Sequence, residues 1–191
     1  MVKSARVINE KVLSRGRFDL TRTDIEVVED DGATRTLSHE VYRHGLAAAA
    51  LLYDPERSVV TLVKQFRAGA FLCDRSLSTL EACAGMLDGD SPADCVVREA
   101  MEETGLAISE PRRAFDAYMS PGGMTEKIAC FVAAYGETSR RGDGGGVDED
   151  EDIEVVEIPF AEALAMIGRG EIADAKTIAL LYFAKAEGLL G

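Results

Sequence analysis

Basic residues are scarce in this chain. Lys and Arg number 21 against 34 Asp and Glu, a formal net charge of −13 at neutral pH. That imbalance excludes a generic nucleic-acid binder or a binder of acidic membranes, because both are gripped through Lys and Arg. Long apolar runs are missing as well. None approaches the roughly 20 residues needed to cross a bilayer. The opening Met1-Val2-Lys3-Ser4-Ala5-Arg6 lacks the apolar core of a signal peptide. Cys73, Cys83, Cys95 and Cys130 are widely spaced and form no Cys-x-x-Cys pair. Three of them lie in apolar stretches, so the four are read as reduced and mostly buried rather than bridged or metal-bound. A cytoplasmic protein is expected. Of the two histidines, His39 has no serine or cysteine nucleophile motif beside it, and His44 has no assigned role. There is no internal repeat.

What is present is enough for a core. An apolar fraction of 47% over 191 residues fits one domain, or one domain with a small appendage. Residues 5–13 and 18–29 read as strands, Asp30-Asp31-Gly32 as a hairpin turn, and 34–42 as the returning strand. An isolated hairpin is marginal in water, so this segment should lie on its own domain or on a partner. Residues 47–53 and 58–66 form an apolar strand pair joined by Asp54-Pro55-Glu56-Arg57. A short strand over 79–84 follows, then strands at 114–119, 127–135 and 154–158. Residues 136–152 form a long polar loop whose glycines could let it close over a ligand. Pro159 opens a helix through 167, and 173–187 is a second, with Ile178, Leu181 and Tyr182 on its apolar side.

The densest chemistry lies in Arg98-Glu99-Ala100-Met101-Glu102-Glu103-Thr104-Gly105-Leu106. Ser91 as N-cap, Pro92 at the first position and Gly105 as stop mark a helix. Glu99, Glu102 and Glu103 then share one face, and Ala93, Val97, Ala100, Met101 and Thr104 give an apolar stripe. Hard oxygen ligands in a row suit magnesium, calcium or manganese. A solvated acidic face is the alternative. Arg98 is placed to orient a glutamate, with Asp94 as its surface alternative.

These residues resemble the second half of the Nudix box, and Glu81-Ala82-Cys83-Ala84-Gly85-Met86 resembles the stretch that opens it. One departure stands out: Asp90 occupies an acidic position usually held by Glu, and only four residues separate it from Gly85. Beyond the box, Tyr118-Met119-Ser120-Pro121-Gly122-Gly123, Gly144-Gly145-Gly146-Val147 and Glu151-Asp152-Ile153-Glu154 resemble the GDP-mannose pyrophosphatase branch, close to the ADP-ribose pyrophosphatases.

The resemblance implies an α+β Nudix fold, a mixed sheet between helices, with an N-terminal β-hairpin extension. Residues 1–45 would serve dimerisation and completion of the substrate site, and 46–191 would be the hydrolase domain. It implies magnesium, or manganese, held by the carbonyl of Ala84 with Glu99, Glu103 and Glu151. Glu102 would assist. Glu151 would be the catalytic base, with Glu149 as second choice; a solvated acidic loop is the alternative for that stretch. Arg67, Glu126, Asp150 and Lys176 would contact substrate. Arg17, Ser38, His39 and Glu40 would reach the partner's site, although the branch places an aromatic residue where Arg17 stands. The expected reaction is hydrolysis of a nucleoside diphosphate sugar by a homodimer, with GDP-mannose giving GMP and mannose 1-phosphate. ADP-ribose giving AMP and ribose 5-phosphate is the alternative within that chemistry. A non-catalytic sensor is the alternative outside it.

Overall fold

The computed structural model describes residues 1–147 and 152–191. They divide into two compact units, Met1–Leu46 with Tyr118–Lys127, and Ala47–Ala117 with Ile128–Gly191.

The first unit is an antiparallel meander of β1 (Val2–Ser14), β2 (Leu20–Glu29) and β3 (Thr34–Tyr42). It has one strand more than a hairpin. Alternation along β2 turns Thr21, Thr23 and Val27 inward. Every residue of β1 is exposed, and its pairing with β2 is interrupted three times. The segment 118–127 joins the end of β3: the Tyr42 N–H donates to the Gly123 carbonyl at 2.8 Å, and the Thr125 N–H to the Tyr42 carbonyl at 3.1 Å.

The second unit is built on a seven-stranded mixed sheet. Its main path runs β10 (Glu154–Pro159), β5 (Val59–Gln65), β4 (Leu46–Asp54), β9 (Lys127–Ala134), β8 (Arg112–Tyr118). Two short strands, β6 (Thr79–Glu81) and β7 (Cys83–Met86), pair with β5 and β4. Ala48, Ala50 and Leu52 of β4 and Ala129, Phe131 and Ala133 of β9 face a core shared with α2 (Pro92–Thr104). Ala49 and Leu51 point the other way and are equally buried, so both faces are covered. On that other side α3 (Phe160–Gly168) meets β5 and β10, and α4 (Ala175–Ala186) meets β6. No helix among the described residues is long and apolar enough to cross a membrane.

Three sequence expectations need correction. The strand expected over 79–84 is two strands, because the Ala82 N–H leaves the ladder to donate to Thr177 Oγ1 at 2.7 Å. The helices α2 and α4 are both turned about their axes relative to the expected apolar stripes. On α2 the buried residues are Cys95, Val96, Ala100, Glu103 and Thr104, while Ala93 and Met101 are exposed. On α4 they are Lys176, Thr177, Leu180, Leu181 and Ala184, leaving Ile178 half-buried and Tyr182 exposed. In each case one charged side chain goes inward to a partner, Glu103 or Lys176, and carries its face of the helix with it. A seven-residue helix, α1 (Ala68–Asp74), was not expected at all.

Candidate active site

The helix α2 begins and ends as its sequence dictates. Ser91 Oγ accepts the Asp94 N–H at 3.2 Å, Pro92 follows the cap, and Gly105 takes the left-handed conformation at φ 70°. A side chain at Gly105 would put its Cβ 2.1 Å from the Gly142 carbonyl oxygen. The last carbonyls of α2 are taken by the glycine loop. The Gly146 N–H donates to the Glu102 carbonyl at 3.1 Å and the Gly145 N–H to that of Glu103 at 2.9 Å. Arg140 Nη1 donates to the Thr104 carbonyl at 3.2 Å. Two of these glycines thereby cap the carboxylate helix through their N–H groups.

The three box glutamates are not equivalent. Glu103 is 4% exposed, and its Oε2 accepts the Ala84 N–H at 3.1 Å. Burial pushes its carboxyl up to about 7. Glu99 lies across the backbone of Gly85: a Cβ there would fall 1.8 Å from Glu99 Oε1 and would displace the carboxylate from this position. Glu102 is more open. Arg98 ties the group together, its Nη1 donating to Glu99 Oε1 and Glu102 Oε2 at 2.8 Å each, its Nη2 to the Met86 carbonyl at 3.3 Å. Its Nε donates to Asp90 at 3.1 Å, so the short loop spends its acid on Arg98. Arg98 therefore sits as an orienting partner.

A second charged cluster lies at the end of β6. Arg67 Nε and Nη2 donate to the two oxygens of Glu81 at 2.8 and 3.0 Å. Lys176 Nζ donates to Glu81 Oε2 at 2.5 Å and stands 3.1 Å from Asp174 Oδ1. Arg67 and Lys176 were candidates from the sequence; the carboxylate between them was not. Burial raises the Glu81 carboxyl, but the two cations outweigh it and hold it at about 2. Only its place just upstream of the box could have pointed to it.

The remaining candidates belong to the N-terminal unit. Ser38, His39 and Glu40 are exposed on β3, with Ser38 Oγ donating to Asp24 at 2.6 Å and Glu40 accepting from Arg22 Nη2 at 2.9 Å. Glu126 stands 3.2 Å from His44 Nδ1, and the His44 ring lies 4.2 Å from that of Phe18. The Arg17 guanidinium lies 5.8 Å from the Phe18 ring centre. Glu149, Asp150 and Glu151 lie outside the described residues.

Residues 43–181 match the model of the NUDIX domain. The chain belongs to the Nudix family. It is 42% identical over 191 residues, all of both chains, to proteins named GDP-mannose pyrophosphatase from Escherichia coli (strain K12) and, at the same identity and coverage, from Shigella boydii serotype 4 (strain Sb227). A crystal structure of an ADP compounds hydrolase superposes with a TM-score of 0.75, covering all of this chain and 99% of its own, at 18% identity. That likeness shows the fold, and the α+β Nudix architecture expected from the sequence is the one found. The chain is a Nudix pyrophosphohydrolase.

Nudix proteins are typically dependent on a divalent metal. The residues here suit one. Glu103, buried beside the Ala84 backbone, and Glu99, lying across Gly85, offer the hard carboxylate oxygens that such an ion takes. Among the described residues, no three His, Cys, Asp or Glu side chains form a ready-made metal cage.

Proposed function

We propose that this Nudix enzyme hydrolyses the diphosphate bond of a nucleoside diphosphate sugar, GDP-mannose first, giving GMP and mannose 1-phosphate. The observation that carries the reading is full-length identity of 42% to enzymes named for that substrate. Magnesium, or manganese in its place, would be held by Glu99, Glu103, Glu151 and the Ala84 carbonyl. When bound, a divalent ion would supply positive charge against the diphosphate and activate a water. Glu151 would take the proton from the attacking water, with Glu102 supporting Glu99 and Glu103. Arg67 and Lys176 face the diphosphate, and Glu126 and Asp150 the sugar and phosphate side. The enzyme is proposed as a cytoplasmic homodimer in which residues 1–45 join the copies. Arg17, Ser38, His39 and Glu40 of one copy then complete the other's site. The full exposure of β1 and of Ser38, His39 and Glu40 supports this.

The test is a panel with magnesium, comparing GDP-mannose with ADP-ribose and other nucleotide sugars. Phosphate is read after coupling to a phosphatase, which acts on the monoester products but not on the intact diphosphate. GDP-mannose should show the highest kcat/KM. A clear preference for ADP-ribose would replace the substrate and leave the chemistry, whereas binding without turnover would make the protein a sensor.

A further inference from the structure

We infer that Glu81 is a positioning residue that joins Arg67 and Lys176 into one two-cation clamp for the substrate's diphosphate. The inference rests on the proposed placement of those two cations against substrate. Arg67 follows β5, and Lys176 is on α4. Nothing in the chain's local structure relates them, and as like charges they repel. Glu81, 4% exposed, takes both: two oxygens to Arg67 and one to Lys176. Thr79 Oγ1 donates to Glu81 Oε1 at 2.6 Å and fixes the carboxylate from its own strand. The next residue, Ala82, donates its N–H to Thr177 Oγ1 on α4, so the chain that carries Glu81 and the helix that carries Lys176 are held by a second bond. Nearly half of the Arg67 side chain is exposed, so the guanidinium is anchored along one edge and presented along the other.

The rival is an ion pair that only holds α4 on the sheet. The alkaline side of the pH profile separates the two. Lys176 faces Glu81 on β6, Asp174 at its own helix start, Cys130 on β9 and, across Glu81, Arg67. Burial raises the Cys130 thiol to about 12, so it brings no charge to the contest near neutrality. Burial lowers the Lys176 amine, and the two carboxylates outweigh it. In Glu81→Gln one carboxylate goes and Arg67 stays. Lys176 then loses its proton at lower pH than before.

The expected result for Glu81→Gln is a kcat/KM lowered about 10- to 100-fold at neutral pH, mainly through KM. An alkaline limb absent from the wild type should also appear. That limb should vanish in Glu81→Gln/Lys176→Gln, and Glu81→Asp, which keeps the charge, should lack it. A uniform loss across pH with no new limb would reduce Glu81 to a structural role. Should Glu81→Gln fail to fold, Glu81→Asp decides: its shorter carboxylate should raise KM, and an unchanged KM overturns the clamp. A wild type that cleaves no nucleoside diphosphate sugar defeats the proposed function instead. The clamp is then judged on pyrophosphate binding by calorimetry over the same pH range, where the same alkaline loss in the variant is required.

Discussion

Glu81 and Glu103 are both buried carboxylates, and their surroundings send them opposite ways. Glu81 meets two cations and is held at about 2; Glu103 meets an N–H at 3.1 Å and is pushed up to about 7. For Glu81 the folded pKa lies below a glutamate's ordinary value of 4.5. Its stabilisation is therefore complete above pH 4.5 and is lost as pH falls through about 2, on the order of 3 kcal/mol in all. Acid unfolding followed by circular dichroism should be flatter across that window in Glu81→Gln than in the wild type. Glu103→Gln goes the other way. The amide keeps the shape, can still accept from Ala84, and removes a charge that burial disfavours. In chelator its melting temperature should equal or exceed the wild type's, while magnesium-dependent turnover should fall at least ~100-fold. A lower melting temperature with normal turnover would reverse that assignment. Of these two acids, sequence spacing singled out Glu103 as part of the box, but not its inward direction. Glu81 stayed hidden because its partners lie 14 and 95 residues away.

The same limit operates on whole elements. Everything local to α2 could be read in advance: the Ser91 cap, the Pro92 start, the Gly105 stop. Its rotation could not, since the inward turn of Glu103 depends on Ala84, 19 residues upstream. α1 escaped notice because it is short, has no capping side chain, buries nothing, and ends on Arg75 rather than glycine in the left-handed conformation. The glycine loop was visible as a run but not as a cap. Gly144 is its tightest point, at φ 74° with a would-be Cβ 2.4 Å from the Glu103 carbonyl oxygen. Gly144→Ala should therefore cost roughly 1–3 kcal/mol of stability, from left-handed strain and the displaced helix end. Gly136, with open space around it and no left-handed φ, is the control; Gly136→Ala should stay within about 0.5 kcal/mol. Denaturant unfolding of both variants checks the pair, and equal losses would mean that the loop does not cap the helix.

At the scale of the molecule, the question is whether each active site is built from one chain or two. β1 exposes all 13 of its residues, with Val7 at 61% and Ile8 at 45%, more apolar surface than a lone strand usually offers to water. Ser38, His39 and Glu40 are exposed on the same meander. A dimer with shared sites makes a sharp numerical demand. Let one variant carry Glu103→Gln, and another replace Ser38, His39 and Glu40 by alanine. Each homodimer then has a defect in both of its sites. In a mixed dimer with shared sites, one site collects both defects and the other collects none. Random exchange makes half of the dimers mixed, so about a quarter of all sites should regain wild-type activity. If each chain builds its own site, every site keeps one defect, and the mixture shows only the average of its parents. Light scattering after size-exclusion chromatography establishes that dimers are present, and co-purification of one untagged variant with the other carrying an affinity tag establishes that they have exchanged. The activity of the mixture then decides between the two arrangements, and recovery can come only from a site drawn from both chains.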